Sequence, residues 1–146
     1  MAYVVFAQGE EPRVPVNDVL AKARVAEGIR IRVAEGPSSP GDITLDVSFE
    51  DASGTFRVMA RPVEAADVAA ARGAELRGRA AGMGDLAARC RTVWVVEPSP
   101  AVPEWLALEL CAVLAFTGLG PILPPDRSTL LGVNGARARA ERLRAG

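Results

Sequence analysis

The sequence contains no histidine, and this absence restricts its chemistry more than any other feature. Histidine is the commonest general base and the commonest metal ligand, so the serines and cysteines lack the usual partner that would activate them. The two cysteines, Cys90 and Cys111, are too few for the usual four-ligand zinc site. We therefore expect no metal and no cofactor, and an enzymatic activity is not favoured.

Long apolar runs and nucleotide-binding motifs are also missing. The longest apolar run, residues 110–123, has fourteen residues and no charge, whereas a membrane-spanning helix needs about twenty. The first residues, MAYVVFAQGEEPR, have neither the basic start nor the apolar stretch of a secretory signal. A phosphate-binding loop of the G-x-x-x-x-G-K-[ST] type does not occur. These absences predict a cytoplasmic protein with no membrane contact. The apolar neighbours of Cys90 and Cys111 favour two buried free thiols in a reducing compartment over a disulfide between them.

The overall charge gives no reason to expect a nucleic acid partner. The formal net charge is -1 over 146 residues, and hydrophobic residues make up 49% of them, which is typical of one globular domain. Residues 127–146 contain five arginines and one glutamate, but no aromatic side chain stands between the arginines. We interpret this segment as a solvated helix or tail rather than as a phosphate-binding site.

Five segments have the patterns of β-strands. Residues 3–7 and 92–96 are continuous apolar runs, which indicates strands buried on both faces. Residues 29–33, 43–49 and 56–58 alternate apolar with polar residues, which is typical of strands with one buried and one solvated face. Opposite charges on the solvated face can pair across strands, and the residues expected there are Arg30, Arg32, Asp46 and Arg57.

Helical patterns separate these strands. We expect helices after Asn17, in the alanine-rich residues 63–81 and over residues 103–117. The order β-α-β-β-β-α-β-α plus a terminal helix predicts an α+β fold, with a mixed, mostly antiparallel five-stranded sheet and helices packed mainly on one face. Residues 1–133 are expected to form this domain, and residues 134–146 an arginine-rich terminal helix or tail. The inward stripe predicted for the alanine-rich helix comprises Ala66, Ala69, Gly73, Leu76, Ala80 and Met83.

Helix 103–117 allows two interpretations. It is apolar on nearly every side, so either other elements of the chain cover it or it also meets a partner, and we predict a homodimer through this helix as one outcome. The helix also contains Glu109 among apolar neighbours. If that carboxyl group is buried, its pKa is raised and it can act as a general base. We favour the alternative, in which Glu109 lies at the solvated edge of the helix.

The segment GPILPPDRSTLLGV, residues 120–133, combines three prolines with an acid, an arginine and two hydroxyls. Without a histidine these polar residues have no evident base. We therefore interpret the segment first as a chain reversal that the prolines stiffen, and second as a binding loop. In the second case, Arg127 and Glu109 are the residues expected to bind a small molecule or a substrate.

Three stretches carry a family resemblance: LAARCRTVWVVEP, ALELCAVLAF and PPDRSTLL. With the hairpin FEDASGTFRVMARPV, they resemble an uncharacterised bacterial α+β domain family in which a helix ending in Cys precedes an apolar strand, a Leu/Ala-rich helix and a returning segment with Pro and Ser. This sequence departs from that family at Ile122 and Leu123, which replace aromatic residues. The resemblance implies a stand-alone cytoplasmic domain, immunity-like or accessory in some members, and it implies no catalytic residues.

Together these features predict a non-enzymatic protein that binds another protein or itself. The expected contact surface is either the solvated sheet face, with Arg30, Arg32 and Arg57, or helix 103–117. The alternative is a small-molecule binder or an enzyme that uses Glu109 and Arg127.

Overall fold

The computed structural model describes residues 1–36 and 38–146 of the chain. Within these residues the chain forms six strands and five helices. The strands are β1 (Tyr3–Ala7), β2 (Ile29–Val33), β3 (Asp42–Phe49), β4 (Ala52–Pro62), β5 (Thr92–Pro98) and β6 (Ile122–Leu123). The helices are α1 (Val16–Val25), α2 (Ala65–Gly78), α3 (Met83–Arg89), α4 (Glu104–Gly118) and α5 (Val133–Ala145).

The six strands described form one antiparallel sheet in the order β2-β3-β4-β5-β1-β6. The predicted α+β class is confirmed, and the two continuous apolar strands, β1 and β5, lie side by side inside the sheet. The structure adds β6 to the five predicted strands. This strand has two residues, which is too short for an alternating pattern to reveal it.

One face of the sheet packs under α1, α4 and α5. Inward residues of the central strands, such as Leu45 and Phe56, are fully buried in this core. Ala136 and Ala140 of α5 belong to the same core. The arginine-rich segment therefore forms a packed helix of the domain, because its alanines allow it to lie close to α4.

The opposite face carries a second core, formed by α2, α3 and half of the sheet. Phe6, Val93 and Leu123 of strands β1, β5 and β6 contribute to it. Helices therefore flank both faces, three on one side and two on part of the other among the residues described. The predicted stripe of α2 is wrong: Leu76 is 81% exposed, and the buried residues of that helix are Ala71 and Ala74.

Residues 120–133 form a chain reversal that closes one edge of the sheet. Ile122 and Leu131 exchange two backbone hydrogen bonds, of 2.8 and 2.9 Å, so the returning chain pairs with β6. Between them, the Asp126 carboxylate accepts hydrogen bonds from the backbone N–H and the hydroxyl of Ser128. A Cβ atom at Gly120 would collide with the carbonyl oxygen of Phe6, so only glycine fits at the start of this reversal.

Among the helices that the structure describes, none is long and apolar enough to cross a membrane.

Candidate binding surface on the sheet

Strands β2, β3 and β4 leave part of the sheet uncovered, on the face turned away from α4. Side chains alternate along a strand, so every second residue of these strands points to this side. Among the described residues, none of these three strands contributes to the core under α2 and α3. We call this surface the open face, and its polar side chains are Arg30, Arg32, Asp42, Thr44, Asp46, Ser48, Ser53, Thr55 and Arg57.

Two ion pairs cross the strands of the open face. Arg57 donates to both carboxylate oxygens of Asp42, at 3.0 and 2.7 Å, and these hydrogen bonds lower the pKa of that carboxyl group below its usual value. The guanidinium of Arg32 lies 2.8 Å from the carboxylate of Asp46, which also accepts a hydrogen bond of 3.1 Å from the Thr55 hydroxyl. Exposed pairs contribute little to stability. Their main effect is to hold two arginines in defined positions.

Arg30 differs from these two arginines. In the described part of the chain, no carboxylate lies within ion-pair distance of it. It lines a shallow depression of about 500 Å³ with Ser48 and Ser53, bounded by Arg32 and Asp46. A guanidinium beside hydroxyl groups is suited to bind a carboxylate or a carbonyl oxygen. Because the depression is open to solvent, it fits a protein surface better than an enclosed small molecule.

Glu109 lies where α4 meets α5 and is 7% exposed, so the expectation of a solvated position is wrong. Burial raises the pKa of its carboxyl group, while Arg137 and Arg144 act in the opposite direction. A nitrogen of the Arg144 guanidinium is 3.7 Å from a Glu109 oxygen, and the same guanidinium lies 4.4 Å from the centroid of the Phe49 ring. This cluster joins α5 to α4 and the sheet, which is a structural role.

Arg127 is not brought close to Glu109. It lies in the chain reversal with a φ of 55°, and its carbonyl oxygen accepts a 2.9 Å hydrogen bond from Arg77 of α2. Glu109 faces α5 in the other helix layer. The cleft beside Glu109 has a volume of about 60 Å³, whereas ligand sites usually begin at about 300 Å³. The predicted pair of Glu109 and Arg127 therefore forms no common site.

Helix α4 is covered by its own chain. Its residues from Leu106 to Ala115 are buried between the sheet, α1 and α5. Phe116, at the end of this helix, is 45% exposed. Coverage within the chain explains why the helix is apolar on all sides. The observation that favoured a homodimer through residues 103–117 therefore no longer supports that dimer.

The two thiols are placed in the core rather than at a surface. Cys90 and Cys111 are free and buried. Burial raises the pKa of Cys90 to about 11 and raises the pKa of Cys111 as well, so both are protonated and unreactive at neutral pH. Within residues 1–36 and 38–146, no group of three or more Cys, Asp or Glu side chains is arranged to hold a metal ion.

Sequence reasoning placed Arg30, Arg32 and Arg57 on one solvated face, and the structure brings these three residues together there. It missed Asp42, which is the partner of Arg57. The signal was present, because Asp42 continues the alternation that places Thr44 and Asp46 on the same face.

No protein-family model, no curated protein and no solved structure matches this chain.

Proposed function

We propose that this chain is a non-enzymatic protein-binding domain, accessory or immunity-like in its role, whose partner contacts the open face. The observation that carries the proposal is the unequal covering of one side of the sheet. Strands β1, β5 and β6 lie under α2 and α3, whereas β2, β3 and β4 present charged and hydroxyl side chains to solvent.

The arrangement of charges supports a protein partner. Arg32 and Arg57 are held by ion pairs, so little side-chain entropy is lost when they meet a partner. Arg30 has an unused guanidinium beside the depression on the open face. Arginine is enriched at protein interfaces. We therefore expect the partner to place a carboxylate against Arg30.

The geometry gives the competing function no comparable support. An enzyme or small-molecule binder was expected to use Glu109 and Arg127, but these residues lie apart and the cleft beside Glu109 is small. The proposal also includes a cytoplasmic location, since two free buried thiols suit a reducing compartment.

Site-specific photocrosslinking in cells of the source organism tests the proposed function. A benzophenone amino acid replaces Ser48, which stands opposite Arg30 on the open face, and in a matched variant it replaces the exposed Glu141 on α5. We expect a discrete protein adduct from position 48, lost when Arg30→Glu is added, and no such adduct from position 141. Equal adducts from both positions, or none from position 48, would contradict the proposal.

A further inference from the structure

Strand β2 has an unpaired edge among the residues described, since its neighbour in the sheet is β3 alone. The pattern of hydrogen bonds shows which backbone groups point outward. The N–H of Ala34 donates to the carbonyl of Thr44 at 2.9 Å. Hydrogen-bonded pairs alternate along an antiparallel ladder, so Arg30 and Arg32 also direct their backbone groups to β3. The outward N–H and C=O groups belong to Ile29, Ile31 and Val33.

The side chains along this edge have two distinct characters. Arg30 and Arg32 are exposed on the open face, whereas Ile31 and Val33 are half-buried on the side of α1. A depression of about 430 Å³ lies beside the edge on the α1 side. Its lining residues are Leu20, Ala23, Arg24, Ala26, Ile29, Arg30 and Ile31. An added strand would therefore meet Arg30 and Arg32 on one face, and the half-buried Ile31 and Val33 beside a depression that also contains Arg24 on the other.

The other side of β2 shows which kind of strand it accepts. Strand β3 alternates apolar residues with polar or acidic ones, and Asp46 of β3 stands opposite Arg32. Its carboxylate forms the 2.8 Å ion pair with that arginine. A second strand on the free edge would face the same two arginines. Arg30 is then the stronger anchor, because it has no ion-pair partner in the described part of the chain.

A second copy of this chain is a poor occupant of the edge. Antiparallel pairing of two β2 strands about Ile31 would place Arg30 of each copy opposite Arg32 of the other. Like charges directly opposite each other destabilise a strand pair.

We propose that the β2 edge binds an extended segment of a partner protein as an added antiparallel strand, in which acidic residues alternate with β-branched apolar residues. The acidic residues pair with Arg30 and Arg32, and the apolar residues contact Ile31, Val33 and the depression beside α1. The outward backbone groups of β2 supply the hydrogen bonds. This inference rests on the proposed function and names the kind of partner, but it concerns the edge of the sheet rather than the open face itself.

The probe is a synthetic peptide with the core Val-Asp-Val-Asp-Val, blocked at both ends, and its binding to the full chain is measured by fluorescence anisotropy. We expect saturable binding, and at least about tenfold weaker binding of the charge-reversed peptide Val-Lys-Val-Lys-Val. Absence of binding at about 1 mM, or equal binding of both peptides, would overturn the proposal.

Two variants test the edge itself. Ile31→Pro removes an outward N–H but no hydrogen bond to β3, so we expect the chain to stay folded and the affinity for the acidic peptide to fall at least about tenfold. Arg30→Glu should also weaken that peptide, and Val-Asp-Val-Lys-Val should restore binding because its lysine then stands opposite the new glutamate. If Ile31→Pro fails to fold, the charge exchange at Arg30 decides alone, and failure of the exchanged peptide to bind overturns the proposal.

Light scattering tests whether a second copy of this chain, rather than a partner segment, occupies the β2 edge. A dimer that dissociates in the Ile31→Pro variant would show that a second copy occupies the edge, which would overturn the proposal. The two proposals can fail separately. If position 48 gives the protein adduct but the peptide does not bind, the open face stays the proposed binding surface and strand addition at the β2 edge is refuted.

Discussion

The side of the sheet away from α4 has two halves that differ in what covers them. On the covered half, β1, β5 and β6 present Phe6, Val93 and Leu123 to alanines of α2 and α3. On the open half, β2, β3 and β4 present arginines, carboxylates and hydroxyls to solvent. The backbone pattern is the same in both halves. The two halves differ in side-chain chemistry, which accounts for one half being buried and the other being exposed to solvent.

Truncation of a side chain should therefore change the free energy of unfolding very differently in the two halves. This is the largest difference that we expect. Phe6→Ala removes a fully buried ring and should lower the free energy of unfolding by about 3–5 kcal/mol. Ser53→Ala, on the open half, should change it by less than about 0.5 kcal/mol. Urea denaturation of both variants measures the difference. Similar losses in the two variants would show that the open half is not the solvated surface described above.

We expect a smaller difference when two ion pairs are broken, one at the border of the covered half and one on the open half. The quantity compared is again the free energy of unfolding. Asp67 accepts hydrogen bonds of 2.7 and 2.8 Å from Arg61 and caps the start of α2 through the N–H of Glu64. Asp67→Ala should lower the free energy of unfolding by about 1–2 kcal/mol. Asp42→Ala breaks an exposed pair and should cause no resolvable change.

The effect of Asp67→Ala should also depend on pH. Hydrogen bonds from Arg61 lower the pKa of Asp67, so the stabilisation by this carboxylate is present above its usual pKa of 3.8 and is lost as the pH falls through the lowered value. The difference between wild type and Asp67→Ala should therefore shrink in strong acid. A constant difference down to the acid transition would contradict the assigned role of Arg61.

The smallest effect concerns Glu109 of α4, which is buried where α4 meets α5. Burial raises the pKa of its carboxyl group, so the folded chain holds this proton more tightly than the unfolded chain. The free energy of unfolding should therefore fall as the pH rises from 4.5 through the raised pKa. Glu109→Gln should remove this fall, whereas Glu27→Gln, at an exposed position, should keep the wild-type profile. Denaturation at a series of pH values compares the three chains, and parallel profiles would show that Glu109 is solvated.

The sequence predicts which face a side chain occupies only where neighbouring residues differ clearly in polarity. The alternating strands place Arg30, Arg32 and Arg57 on one face because charged and apolar residues follow one another there. Helix α2 has alanine on all sides, so its sequence does not identify the inward stripe, and the second core under it was not expected. The pairing of β6 with Leu131 depends on a contact between distant residues, which no local pattern indicates.

Glu109 shows a different limit of sequence reasoning. A glutamate side chain in an apolar helix usually reaches water. Here α5 packs over it and brings Arg144 to 3.7 Å, so its burial depends on the arrangement of two helices. The edge of β2 was likewise hidden, because the order of strands in a sheet follows from tertiary packing rather than from the pattern of any one strand.

Amide hydrogen exchange along β2 tests the central claim most directly, since it reports whether the open half ends in an unpaired edge. In the free chain, the amides of Arg30 and Arg32 should be protected, while those of Ile31 and Val33 should exchange at least about tenfold faster. Addition of the Val-Asp-Val-Asp-Val peptide should slow the exchange of Ile31 and Val33. Uniform protection of all four amides in the monomeric free chain, or no response to the peptide, would contradict the account.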